Sequence, residues 1–233
     1  MVSCVRAAFV AAVIWAPVAT AHAQPGPVLQ DLQAWWLMLG QLPVGDEWVV
    51  HAEAQPRVND DISQKDQFLL RGGVGRRFGT RVTAWTGYAY VAKWNGAPVS
   101  HEQRVWQQLN AALPRTGKWS PSIRLRQEQR FVESWGDASH RFRALGRLVR
   151  PIAEGPWSVA VWDEWFVTLD DTSGGPAQGY DQNRVYLTGL RKLSPAVTLE
   201  LGYMWQHVPS TATAPRRHGH TLFTSFTYAP PVH

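Results

Sequence analysis

Between Ile123 and Phe131 the chain reads IRLRQEQRF, with charge at every second residue: Arg124, Arg126, Glu128 and Arg130. A guanidinium offers planar, bidentate recognition of carboxylate or phosphate, and a carboxylate among guanidiniums can pair with them or move protons. The same residue types recur at similar spacing as Glu53 and Arg57, Arg71, Glu102 and Arg104, Arg141, Arg143 and Arg147, Glu164, Arg184 and Glu200. Ten arginines then stand with five glutamates. Glu128 lies between Arg126 and Arg130, which favour a carboxylate over a carboxylic acid and argue against a general acid.

Other chemistry is poorly supported. Acyl transfer needs a nucleophile, a base and an orienting group within reach of one another. Ser100, Ser122, Ser158 and Ser225 are present, with His51, His101, His140, His207 and His220, but no serine has a nucleophile context. His218 and His220 stand two apart, a weak metal signal better read as loop or interface residues. The stretch 72-GGVG-75 lacks the Lys-Ser/Thr and the strand–loop–helix setting of a phosphate loop. Its glycines suit a bend or close packing at a barrel corner. No catalytic residue, cofactor or metal is assigned.

A strict period of two is the signature of a β-strand, whose successive side chains point to opposite faces. Alternating runs follow near residues 32–42, 47–58, 66–77, 80–92, 101–113, 119–132, 140–151, 157–169, 181–193, 196–208 and 218–228. No helical periodicity is sustained. Connections alternate between short turns, such as Phe78-Gly79 and Ser194-Pro195, and longer ones, at 59–65, 93–100, 133–139, 170–180 and 209–217. That rhythm is expected of an outer-membrane barrel with short periplasmic turns and longer extracellular loops.

The faces agree with it. Opposite the charges run apolar sets such as Phe68, Leu70 and Val74, or Leu199, Leu201, Tyr203 and Trp205. A soluble sandwich buries such a face, whereas a membrane barrel turns it to lipid and keeps a polar lumen. In lipid every backbone group must be satisfied within the protein, so the sheet must close. The expected fold is all-β: a closed antiparallel transmembrane β-barrel of about 10–12 strands. The runs from 47–58 to 218–228 close as ten. Segment 32–42, with Trp35 and Trp36, is then left over as a plug, an interfacial segment or part of a twelve-stranded barrel.

Residues 1–23 have a basic Arg6, an apolar run from Ala7 to Val18 and the cleavage signal Ala21-His22-Ala23, and read as a secretory signal peptide. Residues 24–233 form one barrel domain, and the expected location is the cell outer membrane. The single cysteine, Cys4, leaves with the signal. Thirteen tryptophans fit a membrane interface. The net charge of +5 does not imply nucleic acid, because the arginines alternate along strands and form no surface stripe.

Several pieces in order resemble a known family: 35-WW-36, 53-EAQPR-57, 69-LLRGGVG-75, 87-GYAY-90, 102-EQRVWQQ-108, 124-RLRQEQR-130, 141-RFRALGR-147, 163-DEWF-166, 181-DQNRVYLTGL-190 and 200-ELGYMWQ-206. Together, from about residue 31 to 228, they resemble domain of unknown function 2490, a bacterial family of outer-membrane β-barrels. The resemblance implies a barrel in a Gram-negative envelope and supplies no activity.

Three functions compete for the charged face. In the first it is structural, a belt in which Glu53, Glu102, Glu128, Glu164 and Glu200 pair with Arg57, Arg104, Arg126 or Arg130, Arg143 and Arg184. In the second, the arginine excess lines an anion-selective pore or holds a small anionic ligand. In the third the protein is a lipid-modifying hydrolase. The first is preferred. The partners expected are outer-membrane lipid and, on the second reading, a small anion or anionic solute.

Overall fold

A computed structural model describes residues 27–94, 98–211 and 214–231. The expected signal peptide lies outside the described residues. Among the described residues eleven strands occur: β1 (Leu29–Val44), β2 (Trp48–Asn59), β3 (Gln64–Phe78), β4 (Val82–Lys93), β5 (Ser100–Ala112), β6 (Ser120–Val132), β7 (Ser139–Pro151), β8 (Trp157–Thr168), β9 (Gly179–Lys192), β10 (Val197–Val208) and β11 (Arg217–Tyr228). Each expected run corresponds to one of them.

The sheet closes into a barrel in which every strand pairs with its chain neighbours, and β1 also pairs with β11. Consecutive strands are antiparallel, but β1 and β11 run parallel, in register from Leu29↔Arg217 to Gly40↔Tyr228. This corrects the expectation of a wholly antiparallel barrel. The reason is parity: when strands alternate up and down, the first and last of an odd set point the same way. Segment 32–42 is the middle of β1 and a full member of the wall, so the ten-strand closure without it is also corrected.

At one end the strands are joined by residues 45–47, 79–81, 113–119, 152–156 and 193–196, and at the other by 60–63, 94–99, 133–138, 169–178 and 209–216. We call these the short-turn and long-loop ends. Two connections break the rhythm: β5–β6, seven residues long at the short-turn end, and β2–β3, whose strands extend until only residues 60–63 remain. The latter turns through three successive left-handed residues, Asp60, Asp61 and Ile62 (φ 52°, 53° and 65°), a conformation unfavourable for side chains with a Cβ. Contacts to the start of β1 hold it: the Asp61 amide donates to Asp31 Oδ1 at 3.3 Å and the Ile62 amide to the Leu32 carbonyl at 3.1 Å.

The two faces of the wall differ as the alternation requires. Every strand presents at least one large apolar side chain outward, among them Met38, Val50, Leu70, Tyr88, Val105, Phe131, Leu148, Trp165, Leu187, Leu201 and Leu222. Inside, two apolar clusters form, one of Trp35, Tyr186, Met204 and Phe223 and one of Val49, Trp85, Ala89 and Trp106. Trp35, Trp85 and Trp106 are therefore lumen residues and not part of an interfacial belt. The glycines of 72-GGVG-75 make room for them. A Cβ on Gly73 would lie 2.6 Å from Trp106 Cζ2, and one on Gly75 would lie 2.5 Å from Trp85 Cε3. Gly87 stands opposite Gly73 and also underlies Trp106.

Candidate functional site

All fifteen charged residues singled out in the sequence fall on strands. Eleven are buried: Glu53, Arg71, Glu102, Arg104, Arg126, Glu128, Arg141, Arg143, Glu164, Arg184 and Glu200. Arg57, Arg124, Arg130 and Arg147 are half-buried. Ion pairs that skip strands place them inside. Arg124 on β6 reaches Glu164 on β8 at 2.6 Å, and Arg147 on β7 reaches Glu200 on β10 at 3.0 Å. Such contacts can be made only across the lumen.

Glu128 is the centre of the network and has no solvent exposure. Arg141 donates to its Oε2 at 2.7 and 3.1 Å, and Arg143 to its Oε1 at 2.8 Å. Arg126 lies 3.6 Å away and Arg71 4.0 Å. Arg143 continues to Glu164 Oε1 at 2.6 and 3.0 Å, the oxygen that Arg124 also approaches. Glu53 accepts from Arg71 at 2.7 and 2.8 Å and contacts His51 at 3.3 Å. Glu102 is shared by Arg104 and Arg130, each at 2.6 Å. Glu200 accepts from Arg147 and from the Thr188 hydroxyl. Each carboxylate thus meets at least one guanidinium, the condition under which charge is tolerated away from water.

Several partners differ from those expected of the belt. Glu53 pairs with Arg71 in place of Arg57, Glu200 with Arg147 in place of Arg184, and Glu128 chiefly with Arg141 and Arg143. The ladder explains most of this. Glu53 stands directly opposite Arg71, and Glu128 opposite Arg141, at a spacing of about 5 Å that positions four apart on one strand cannot match. Glu102–Arg104 and Glu164–Arg143 form as expected, and Glu128–Arg126 forms at a longer 3.6 Å.

Residues outside the expected set complete the site. Arg57 donates to two amides, Gln55 at 2.6 Å and Gln67 at 2.8 Å, and Arg141 meets Asp181 at 3.3 Å. Aromatic rings back the guanidiniums: Trp35 under Arg57 at 3.8 Å, Phe166 under Arg143 at 4.5 Å and Trp106 near Arg126 at 5.2 Å, the arrangement of cation–π attraction. The sequence carried a signal for them, since Trp106 shares the parity of Glu102 and Arg104, and Phe166 that of Glu164.

Between this network and the long-loop end lies a cavity of about 280 Å³. Its wall includes Trp35, Arg57, Arg130, Arg184, Gln182 and Tyr186, with Asp66, Lys93 and Arg217 toward the long loops. Outside the cavity, at the long-loop end of β7, Asp170 accepts from the His140 amide at 2.9 Å and meets His140 Nδ1 at 2.5 Å. Slight burial acts to raise this carboxyl, but the bonds from His140 outweigh it and hold it below its usual range. Among the described residues no three His, Cys, Asp or Glu side chains converge as metal ligands.

No solved structure matches this chain. An uncharacterized protein of Methylorubrum extorquens is 33% identical over 198 residues, spanning 84% of this chain and 85% of that protein. A family model described as "protein of unknown function (DUF2490)" matches residues 32–217, from early in β1 to the start of β11. That span takes in the whole charged network, and the chain belongs to the DUF2490 family.

Proposed function

We propose that this protein is an outer-membrane β-barrel whose lumen is closed by its own arginine–glutamate belt. The observation that carries the reading is the inversion of the two faces: large apolar side chains point outward from all eleven strands, and charge is gathered inside. Water rewards the opposite arrangement, whereas lipid outside a polar interior requires this one. The long loops then face the exterior and the short turns the periplasm. The belt's role is structural, because its carboxylates are already bound by guanidiniums and because Trp85, Trp106 and Val49 fill the lumen beside it. No catalytic role is assigned to these carboxylates.

The test has two parts. Cell fractionation should place the protein in the outer membrane, and recovery in the soluble periplasm would sink the reading. The refolded barrel in a planar bilayer should give no steady current. A steady anion-selective conductance would instead make the arginine-lined lumen an anion pathway.

A further inference from the structure

Two of the lumen arginines are not served by the belt. Arg184 is buried and lines the cavity, yet among the described residues no carboxylate oxygen lies within ion-pairing distance and no hydrogen-bond acceptor meets it. Its Nε is a buried donor without an acceptor. Its ladder neighbour Glu164 is taken by Arg143 and Arg124. Arg184 packs on rings, 4.7 Å to Trp35 and 4.6 Å to Phe166. Arg57 packs on the same Trp35 ring at 3.8 Å and is held by neutral glutamine oxygens alone. Two guanidiniums thus share one indole on the wall of one cavity, with no carboxylate bound to either.

Such an arrangement is costly unless an anion joins it, because a buried cation needs a counter-charge. Among the described residues no acid of the wall forms an ion pair with either: Glu53 and Glu164 are engaged by Arg71 and Arg143, and Asp181 by Arg141. Asp66, toward the long-loop end, attracts both Arg57 and Lys93 but lies beyond ion-pairing distance of either. The volume of about 280 Å³ suits a small solute, and the planar fork of a guanidinium matches the paired oxygens of a phosphate or carboxylate.

We propose that this cavity binds a small soluble oxyanion, held by Arg184 and Arg57 against the Trp35 ring and admitted from the long-loop end. The site rests on the closed-barrel reading and deepens it: the anion sits on the belt and does not pass it.

The test uses the refolded chain in detergent micelles. Inorganic phosphate is titrated calorimetrically against chloride at constant ionic strength. Gel mobility of boiled and unboiled samples checks folding first. The folded protein should bind phosphate saturably, and Arg184→Gln should weaken binding at least tenfold. In chloride, Arg184→Gln should be no less heat-resistant than the parent, since it removes an uncompensated buried cation. Arg57→Gln should weaken binding in the same direction, and serves alone if the first variant does not fold. A folded protein that binds no phosphate, or binds it equally after both substitutions, overturns the site and leaves the barrel standing. A chain that gives no heat-modifiable form overturns the barrel and the site with it.

Discussion

A buried carboxylate held by several guanidiniums is a point of leverage, and Glu128 is the clearest case. Removing it leaves Arg141 and Arg143 facing each other across the space it occupied, and stranding one partner of a buried pair costs about 3–5 kcal/mol. Asp171, in the β8–β9 loop, accepts one bond from the Gln178 amide at 2.8 Å in an exposed setting, worth about 1 kcal/mol. Glu128→Ala should therefore lower the temperature at which the folded gel band disappears far more than Asp171→Ala. Equal loss in the two variants would deny the belt its structural role. At this scale the sequence was informative about side and silent about partner. The period of two put the charges on one face, and it also put Trp106 and Phe166 there. Pairing depends on register, which brings Arg71 opposite Glu53, and one strand's own pattern contains no register.

At the scale of elements, β3 and β4 show how the wall accommodates its filling. Gly73 and Gly87 face each other beneath Trp106, and Gly75 lies beneath Trp85. The ring sits where a Cβ would be, so small residues on the wall and large ones in the lumen are one feature. A Gly73→Ala substitution drives a methyl into Trp106 and into the Thr86 carbonyl. It should cost about 1–3 kcal/mol, read as earlier loss of the folded band on heating. Gly146, with nothing within 4 Å of an added Cβ, is the control, and equal effects of Gly146→Ala and Gly73→Ala would refute the packing argument. Close packing at 72-GGVG-75 was legible from glycine in a strand. Its target was not, because β5, which carries Trp106, is reached only through the fold.

For the whole molecule the deciding quantity is the strand number. The sequence delimits eleven runs, but the habit of even-numbered barrels leaves β1 surplus. The parallel β1–β11 seam resolves this, and no local pattern announces a pairing between residues some 188 positions apart. The seam also places Trp35 where Arg57 and Arg184 meet, so β1 contributes to the lumen as well as to closure. A chain lacking residues 29–44 should fail to give a heat-modifiable band, since β2 and β11 would become open edges and the lumen would lose Trp35. A ten-stranded product with the heat resistance of the parent would show that the seam is dispensable. An odd count has one more effect. The chain enters the wall with Leu29 at the long-loop end and leaves it with Tyr228 at the short-turn end. Many domains can be circularly permuted because their termini lie close together. Here β11 alone is 12 residues, roughly 40 Å at strand rise, and the lumen between the two ends is occupied by side chains. A peptide joining residue 228 to residue 29 has no short route, so the order of strands in the gene is bound to the order around the barrel.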